Sequence, residues 1–375
     1  MLLSRPVGGL SNREGMLSCV HLIATDADVA ACLKGARSDR LLIFNVRLMW
    51  TGGLACSKSL LVCWLRMGRD RGYKVYENVE FPSEDALLRG RFYRPKRAEP
   101  FPTVIMTHGT TATITMALDH YAEVFCKAGL AVLLYDHRNF GISGGELRQQ
   151  INPWIQARGY RDALNYLWTR ADVRPDKVAA WGDSYSGMIA LSVGALEPRF
   201  AAVAAQCPTC GPEKPNVEPS DQSFHVMQAI FANGEVHGTP ETTVGPMPVV
   251  SFDQVGSPSL LKPIQAFRWF IDYGGRHDSL WENRVTRVIP PTPVPFSAYL
   301  AAPYIRAPTF VMVGRNDEMV HCNPDVARAT YELMRCPKQW VDIDGGHFGL
   351  LYHPSEIFAT ASALQCEFLV GALGN

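Results

Sequence analysis

A succession of short, almost wholly apolar runs sets the narrowest limit on what this chain folds into. They are "TVIMTHG" (103–109), "LAVLLYDHR" (130–138), "VAAWGDS" (178–184), "AAVAAQC" (201–207), "PTFVMVGRND" (308–317) and "QWVDIDGGH" (339–347). A strand with one wet face alternates polar and apolar residues. These mostly do not, as expected of parallel strands covered on both faces. Helical patterns fill the intervals at 116–128, about 156–171, 185–196, 325–335 and 355–371. Strand alternating with helix specifies βαβ units with right-handed crossovers, hence an α/β protein with a doubly wound, mostly parallel sheet. Two earlier runs, "YKVYENVEF" (73–81) and "LLRGRFYRP", read as an opening antiparallel pair that makes the sheet mixed.

Two regions break this rhythm. Residues 1–68 show no clear periodicity and hold four of the ten cysteines, so they are read as an N-terminal extension of unassigned structure. From 208 to about 300 no strand is evident, Pro and Gly are frequent, and aromatics gather at Phe224, Phe231, Phe267, Trp269, Phe270 and Trp281. A loop this long without structure of its own is foreign to a compact domain. The segment is therefore read as an inserted, mostly helical lid, with the core at 69–207 and 301–375.

Composition narrows the function classes. Basic and acidic residues balance at 36 each, with no long run of either sign, which argues against a nucleic-acid surface or a polybasic membrane anchor. The ligand expected is small and largely uncharged. The scattered cysteines fit reduced thiols in a cytoplasmic protein rather than a disulfide framework. Cys207 and Cys210 form a single C-x-x-C, too few ligands for a structural zinc site. No apolar run reaches the roughly 18 residues of a membrane span, and no secretory signal is read at the N-terminus.

The chemistry centres on "VAAWGDSYSGMIAL" (178–191). A nucleophile at the end of a parallel strand must be lifted clear of the backbone, and a tight strand-turn-helix does this in strained φ/ψ space. Such a turn crowds the positions two before and two after it. Around Ser184 those are Gly182 and Ser186, followed by Gly187, so the pattern is G-x-S-x-S-G and departs from G-x-S-x-G by one hydroxymethyl group. A serine hydroxyl also needs a histidine base, itself oriented by a carboxylate. "PTFVMV" ends in "GRND", placing Asp317 past the strand's carboxyl end, and "QWVDI" ends in "DGGH", placing His347 in the next loop. Open α/β sheets put their sites at this edge. Glu318, Asp325, Asp342 and Asp344 compete for the acid's role, and His321 and His353 for the base's.

Acyl transfer further requires donors aimed at a developing oxyanion. The N–H of Tyr185 at the helix start is one, and Thr110 in "HGTT" after the first parallel strand is the other. His108 reads as a loop-shaping residue rather than a base. Asp136 and Arg138 read as structural polar residues that buttress a neighbouring loop.

Taken together, "HG" after one strand, "YDHRNFGISGGELRQ" after the next, "WGDSYSG", "GRND" and "GGHFG" resemble the α/β-hydrolase superfamily over about residues 73–372. The segment "FGISGGELRQ" followed by "WGDSYSG" looks like fungal polyketide transferases and thiohydrolases. Dienelactone-hydrolase-like and X-prolyl-peptidase-like proteins look similar over the same elements. The resemblance implies the α/β-hydrolase fold, Ser184 as nucleophile, Asp317 as acid and His347 as base, and no metal or redox cofactor. The apolar, aromatic composition of the lid suggests a bulky hydrophobic acyl group, and the mechanism expected is attack on an ester or thioester, carried on a synthase or free, resolved by water or an acceptor alcohol. The competing readings are an X-prolyl-type peptidase and a non-catalytic binding or scaffold protein.

Overall fold

The computed structural model of the chain describes residues 76–374. The extension read over 1–68 and the first residues of the core, 69–75, lie outside them. The described chain begins with the antiparallel strands β1 (Tyr76–Ser83) and β2 (Ala86–Tyr93), then β3 (Phe101–Thr107), helix α1 (Leu118–Lys127) and β4 (Ala131–Tyr135). A two-residue strand β5 (Gln150–Ile151) leads into α2 (Pro153–Trp168), followed by β6 (Val173–Asp183), α3 (Tyr185–Leu196) and β7 (Ala202–Gln206). Next come α4 (Asp221–Asn233), β8 (Thr243–Met247), α5 (Ile264–Gly274), β9 (Val285–Val288) and the single turn α6 (Ala298–Ala301). The chain returns through β10 (Thr309–Gly314), α7 (Pro324–Leu333), β11 (Lys338–Ile343) and α8 (Glu356–Leu373).

Eight strands form one sheet in the order β1-β2-β4-β3-β6-β7-β10-β11. Every pairing from β4 to β11 is parallel, and only β2 runs against its neighbours. Its interior strands are buried residue after residue because both faces are covered, which is why their sequences do not alternate. The side chains nevertheless alternate between two cores. Ile105, Leu133, Ala180, Val203 and Val311 enter the one packed by α2, α3 and α7. Val104, Leu134, Trp181, Ala204 and Phe310 enter the one packed by α1 and α8. Each fully buried Val, Leu, Ile or Phe among them contributes about 1.5–3 kcal/mol of transfer free energy.

Local signals start the helices where the chain must turn back. Asn152 caps α2 by accepting from the Trp154 N–H, with Pro153 at the first helical position, and Asn323 does the same for α7 with Pro324. Ser355 caps α8 through the Phe358 N–H. Helix α3 is buried along all twelve residues, so it carries no polar stripe. It lies so near β7 that a Cβ on Gly194 would sit 2.6 Å from Val203 Cγ2.

The inserted segment corrects the sequence reading of a strandless stretch. Its longer elements are the helices α4 and α5, but β8 and β9 also form there and join β5 in a separate three-stranded sheet, ordered β5-β9-β8. "TVGPM" holds a glycine and a proline and its middle residues are exposed. Neither apolar periodicity nor β propensity marks such a strand. The insert's apolar groups are shared between the two cores: Phe224, Met227 and Phe231 of α4 join the first, and Trp269, Phe270 and Tyr273 of α5 join the second. Arg158 of α2 fastens α4 by donating to the carbonyls of Ile230, Phe231 and Gly234, the groups a helix end leaves open.

Candidate active site

The turn between β6 and α3 has the geometry a lifted nucleophile requires. Ser184 sits at φ 56°, ψ −117°, a region that costs a non-glycine residue about 1–3 kcal/mol and persists only where its surroundings enforce it. The enforcement is visible in the neighbours. A Cβ on Gly182 would lie 2.0 Å from the Ser186 carbonyl oxygen, and one on Gly187 3.0 Å from that of Gln206. The Ser184 N–H donates to the Gln206 carbonyl at 2.8 Å, which ties the turn to β7.

Ser186, the departure from the commoner motif, is fully buried and its hydroxyl is used. It donates to the His108 carbonyl, and because it has a single hydrogen it must accept from His137 Nε2 at 2.8 Å. His137 therefore bears its proton on Nε2, and its Nδ1 is buried without a partner. The His108 Nε2 accepts the His137 backbone N–H at 3.2 Å, so the Nδ1 of His108 carries the proton and meets the Gly109 carbonyl at 2.9 Å. Burial pushes the pKa of both imidazoles down. Both nitrogens of a neutral His108 are thus committed to backbone, which makes it a loop-holding residue. Asp136 lies 3.6 Å from it but spends its oxygens on the N–H groups of Ile114 and Ile142. Arg138 pairs with Asp85.

The loop held this way lies against the nucleophile. A Cβ on Gly109 would come within 3.1 Å of Ser184 Cβ. Thr110 follows, in a turn closed by the Ala112 N–H on the Gly109 carbonyl. The first turn of α3 leaves the Tyr185 N–H without an intrahelical acceptor. Thr110, Ser184 and Tyr185 line one cavity together with His347.

The structure brings Asp317 and His347 together. Asp317 Oδ2 faces His347 Nδ1 at 2.8 Å, with both side chains buried, and Asp317 Oδ1 accepts the Met319 N–H at 2.9 Å. Glu318, a rival for the acid's role, accepts the His347 backbone N–H at 2.8 Å instead and so steadies the loop. Asp342 sits on the outer strand beside Arg328 and the Trp340 indole, and Asp325 lies in the first turn of α7. His353 stacks on His120 with ring centres 3.8 Å apart. His321 lines the cavity. Burial alone disfavours a His347 imidazolium, but the acidic groups beside it, the Cys322 thiol and the Asp317 carboxylate, outweigh that and raise its pKa above the ordinary value.

Two buried groups here had no sequence signal beyond their position. Asp183, just before the nucleophile, lines the cavity and accepts from Gln206 Nε2 at 2.8 Å. Burial, helped by Asp317 and opposed by His347 and Gln206, lifts its carboxyl to about 6. Cys207 approaches the pair from β7, and its Sγ with one atom each of Asp317 and His347 falls within 4.8 Å. Burial pushes that thiol up to about 12, so it stays protonated, a poor metal ligand and a poor nucleophile. Ser184 lines the cavity and Cys207 does not. The six cysteines among the described residues are free.

The cavity measures about 580 Å³, large enough for a substantial organic ligand. Met188, Trp154, Phe348 and, from the insert, Trp269, Phe270 and Phe296 make much of its wall apolar. Phe224 and Phe231, phenylalanines singled out in the insert with these, pack into the first core.

Comparison with known proteins agrees with this architecture. Residues 85–227 match the model of the X-Pro dipeptidyl-peptidase (S15 family). A thiohydrolase, aneE, of Aspergillus aculeatus is 36% identical over 143 residues, which are 38% of this chain and 44% of that protein. A polyketide transferase, claH, of Penicillium crustosum is 32% identical over 163 residues, 43% of this chain and 53% of that one. The chain thus spans about half, or less, of the length of these relatives. The crystal structure of the alpha/beta hydrolase GrgF from Penicillium sp. sh18 superimposes with a TM-score of 0.60 at 22% identity, covering 80% of this chain and 99% of that one. The chain is an α/β hydrolase by fold, and it resembles the fungal thiohydrolases and polyketide transferases.

Proposed function

We propose that the chain is a serine-dependent acyl hydrolase or acyltransferase that cleaves or transfers a hydrophobic ester or thioester of polyketide type. The observation that carries this reading is the buried Asp317–His347 pair at 2.8 Å opening on the same cavity as a serine held at φ 56°. His347 takes the proton of Ser184 as its hydroxyl oxygen attacks the acyl carbonyl, and Asp317 balances the imidazolium that forms. The N–H groups of Tyr185 and Thr110 receive the oxyanion. Collapse of the tetrahedral adduct expels the thiol or alcohol, protonated by His347, and water or an acceptor alcohol then releases the acyl group from Ser184. The insert acts as the lid whose aromatics shape the acyl site. The names of the relatives support the thioester and polyketide assignment.

A peptidase is the second reading, favoured by the family matched over residues 85–227. It needs a carboxylate in the cavity to receive a peptide ammonium. Among the described residues Asp183 is the one carboxylate in the wall, and it is buried against Gln206.

Intact-mass spectrometry of wild type and Ser184→Ala after a fluorophosphonate probe, and separately after a panel of acyl thioesters and peptides, tests the proposal. A single adduct on wild type alone is expected. A folded wild type without an adduct refutes the nucleophile, and turnover of peptides but not thioesters transfers the assignment to the peptidase.

A further inference from the structure

Arg287 of β9 lines the apolar cavity beside Ser184. Its backbone is fixed on both sides, opposite Ile151 of β5 and Val244 of β8, so the small sheet sets its position. The buried arginines among the described residues are satisfied: Arg138 grips Asp85, and Arg158 takes Glu84 and three carbonyls. Arg287 differs. Its Nε is buried with no acceptor, and among the described residues no carboxylate forms an ion pair with it. Among the described residues the one carboxylate in the cavity wall, Asp183, is turned to Gln206. His321, in the same wall, responds to the nearby cation: its imidazolium is disfavoured by burial first and by Arg287 second.

A buried Nε–H left without an acceptor is costly unless a ligand completes it, and a site built that way disfavours ligands that lack the matching group. A guanidinium matches an oxyanion with two parallel N–H···O bonds. Building on the acyl chemistry proposed for Ser184, we infer that Arg287 is the specificity-determining residue that receives an anionic oxygen group of the substrate while the apolar wall takes its carbon chain. That group is a carboxylate at the far end of the acyl chain or a phosphate on the arm that carries the thioester.

Binding to the full chain carrying Ser184→Ala tests this without turnover, read by quenching of Trp154 and Trp269, which line the cavity. Two matched pairs serve as probes: octanoyl against suberyl N-acetylcysteamine thioester, and octanoyl-pantetheine against octanoyl-phosphopantetheine. One anionic member should bind about ten- to a hundredfold more tightly than its neutral partner. Arg287→Met in the same background should bring that ratio near one, with Arg287→Lys between. A response in the first pair places the anion on the acyl chain, and one in the second places it on the carrier arm. Ratios near one with Arg287 present, or a preference that survives Arg287→Met, overturn the inference. Should Arg287→Met fail to fold, an undiminished ratio in Arg287→Lys does the same. The probe-adduct experiment fails or succeeds independently of these ratios, so loss of the serine mechanism and loss of anion recognition are told apart.

Discussion

Replacing Ser186 by glycine would restore the commoner G-x-S-x-G pattern, and the structure says it should harm the protein. Ser186 is 0% exposed, and its hydroxyl bridges the His108 carbonyl and His137 Nε2. Without it the imidazole of His137 has one N–H and one lone pair, both unpartnered. Moving the proton does not help, because Nδ1 already lacks a partner. The His108 carbonyl also loses its donor. Each buried orphan costs about 1–3 kcal/mol, so the two together give about 2–6 kcal/mol. A water entering the space left by the hydroxymethyl group would offset part of that, which leaves about 2–4 kcal/mol as the expected loss. The measurement is chemical denaturation of wild type, Ser186→Ala and Ser186→Gly at one pH, with equal m-values confirming a change in stability. Both variants should unfold at lower denaturant, and glycine should be the worse by up to about 1 kcal/mol for its helix position. The same network holds the Gly109–Thr110 loop, so probe-adduct formation at Ser184 should slow as well. A Ser186→Gly protein within about 0.5 kcal/mol of wild type would refute the reasoning and reduce Ser186 to a tolerated small residue.

Three further outcomes follow from the same geometry. Asp317→Asn should slow adduct formation by about 10³–10⁴-fold and lower the pH at which the remaining activity appears, read from rate against pH, since the carboxylate both orients His347 and raises its pKa. In the wild type that rate should climb with pH through a midpoint above the ordinary histidine value of about 6.5, and a flat profile would contradict His347 as base. Gly182→Ala puts a methyl 2.0 Å from a backbone oxygen that cannot yield, so soluble yield or labelling of Ser184 should be lost; a labelled, wild-type-like protein would mean the turn is not tight. Asp183 has a carboxyl raised from 3.8 to about 6. The native state therefore holds this proton more firmly than the unfolded chain, and stability falls as pH rises from about 4 to 6, by about 3 kcal/mol. Asp183→Asn should gain on wild type across that window and show no gain at about pH 3.5, and equal slopes in paired denaturation curves would count against it.

What the sequence determined by itself is whatever depends on near neighbours in the chain. The interior strands are legible because burial on both faces removes their polar residues, and Ser184, Asp317 and His347 stand out in the sequence because each follows closely on the end of a strand, His347 on the half-exposed edge strand β11. The turn at Ser184 is written in Gly182 and Gly187, two and three residues away. Only the tertiary structure decided the rest. Ser186 meets His137 and His108 across 49 and 78 residues, and no local pattern marks a hydroxyl that will close such a bridge. Glu318, next to Asp317 in sequence and a rival acid there, is sent by packing to the backbone N–H of His347. The β5-β9-β8 sheet joins short segments that are weak strands alone, and its pairing is what brings Arg287 into the cavity. These features rest on contacts whose partners lie far apart in sequence, and such contacts exist only once the two cores have closed around the sheet.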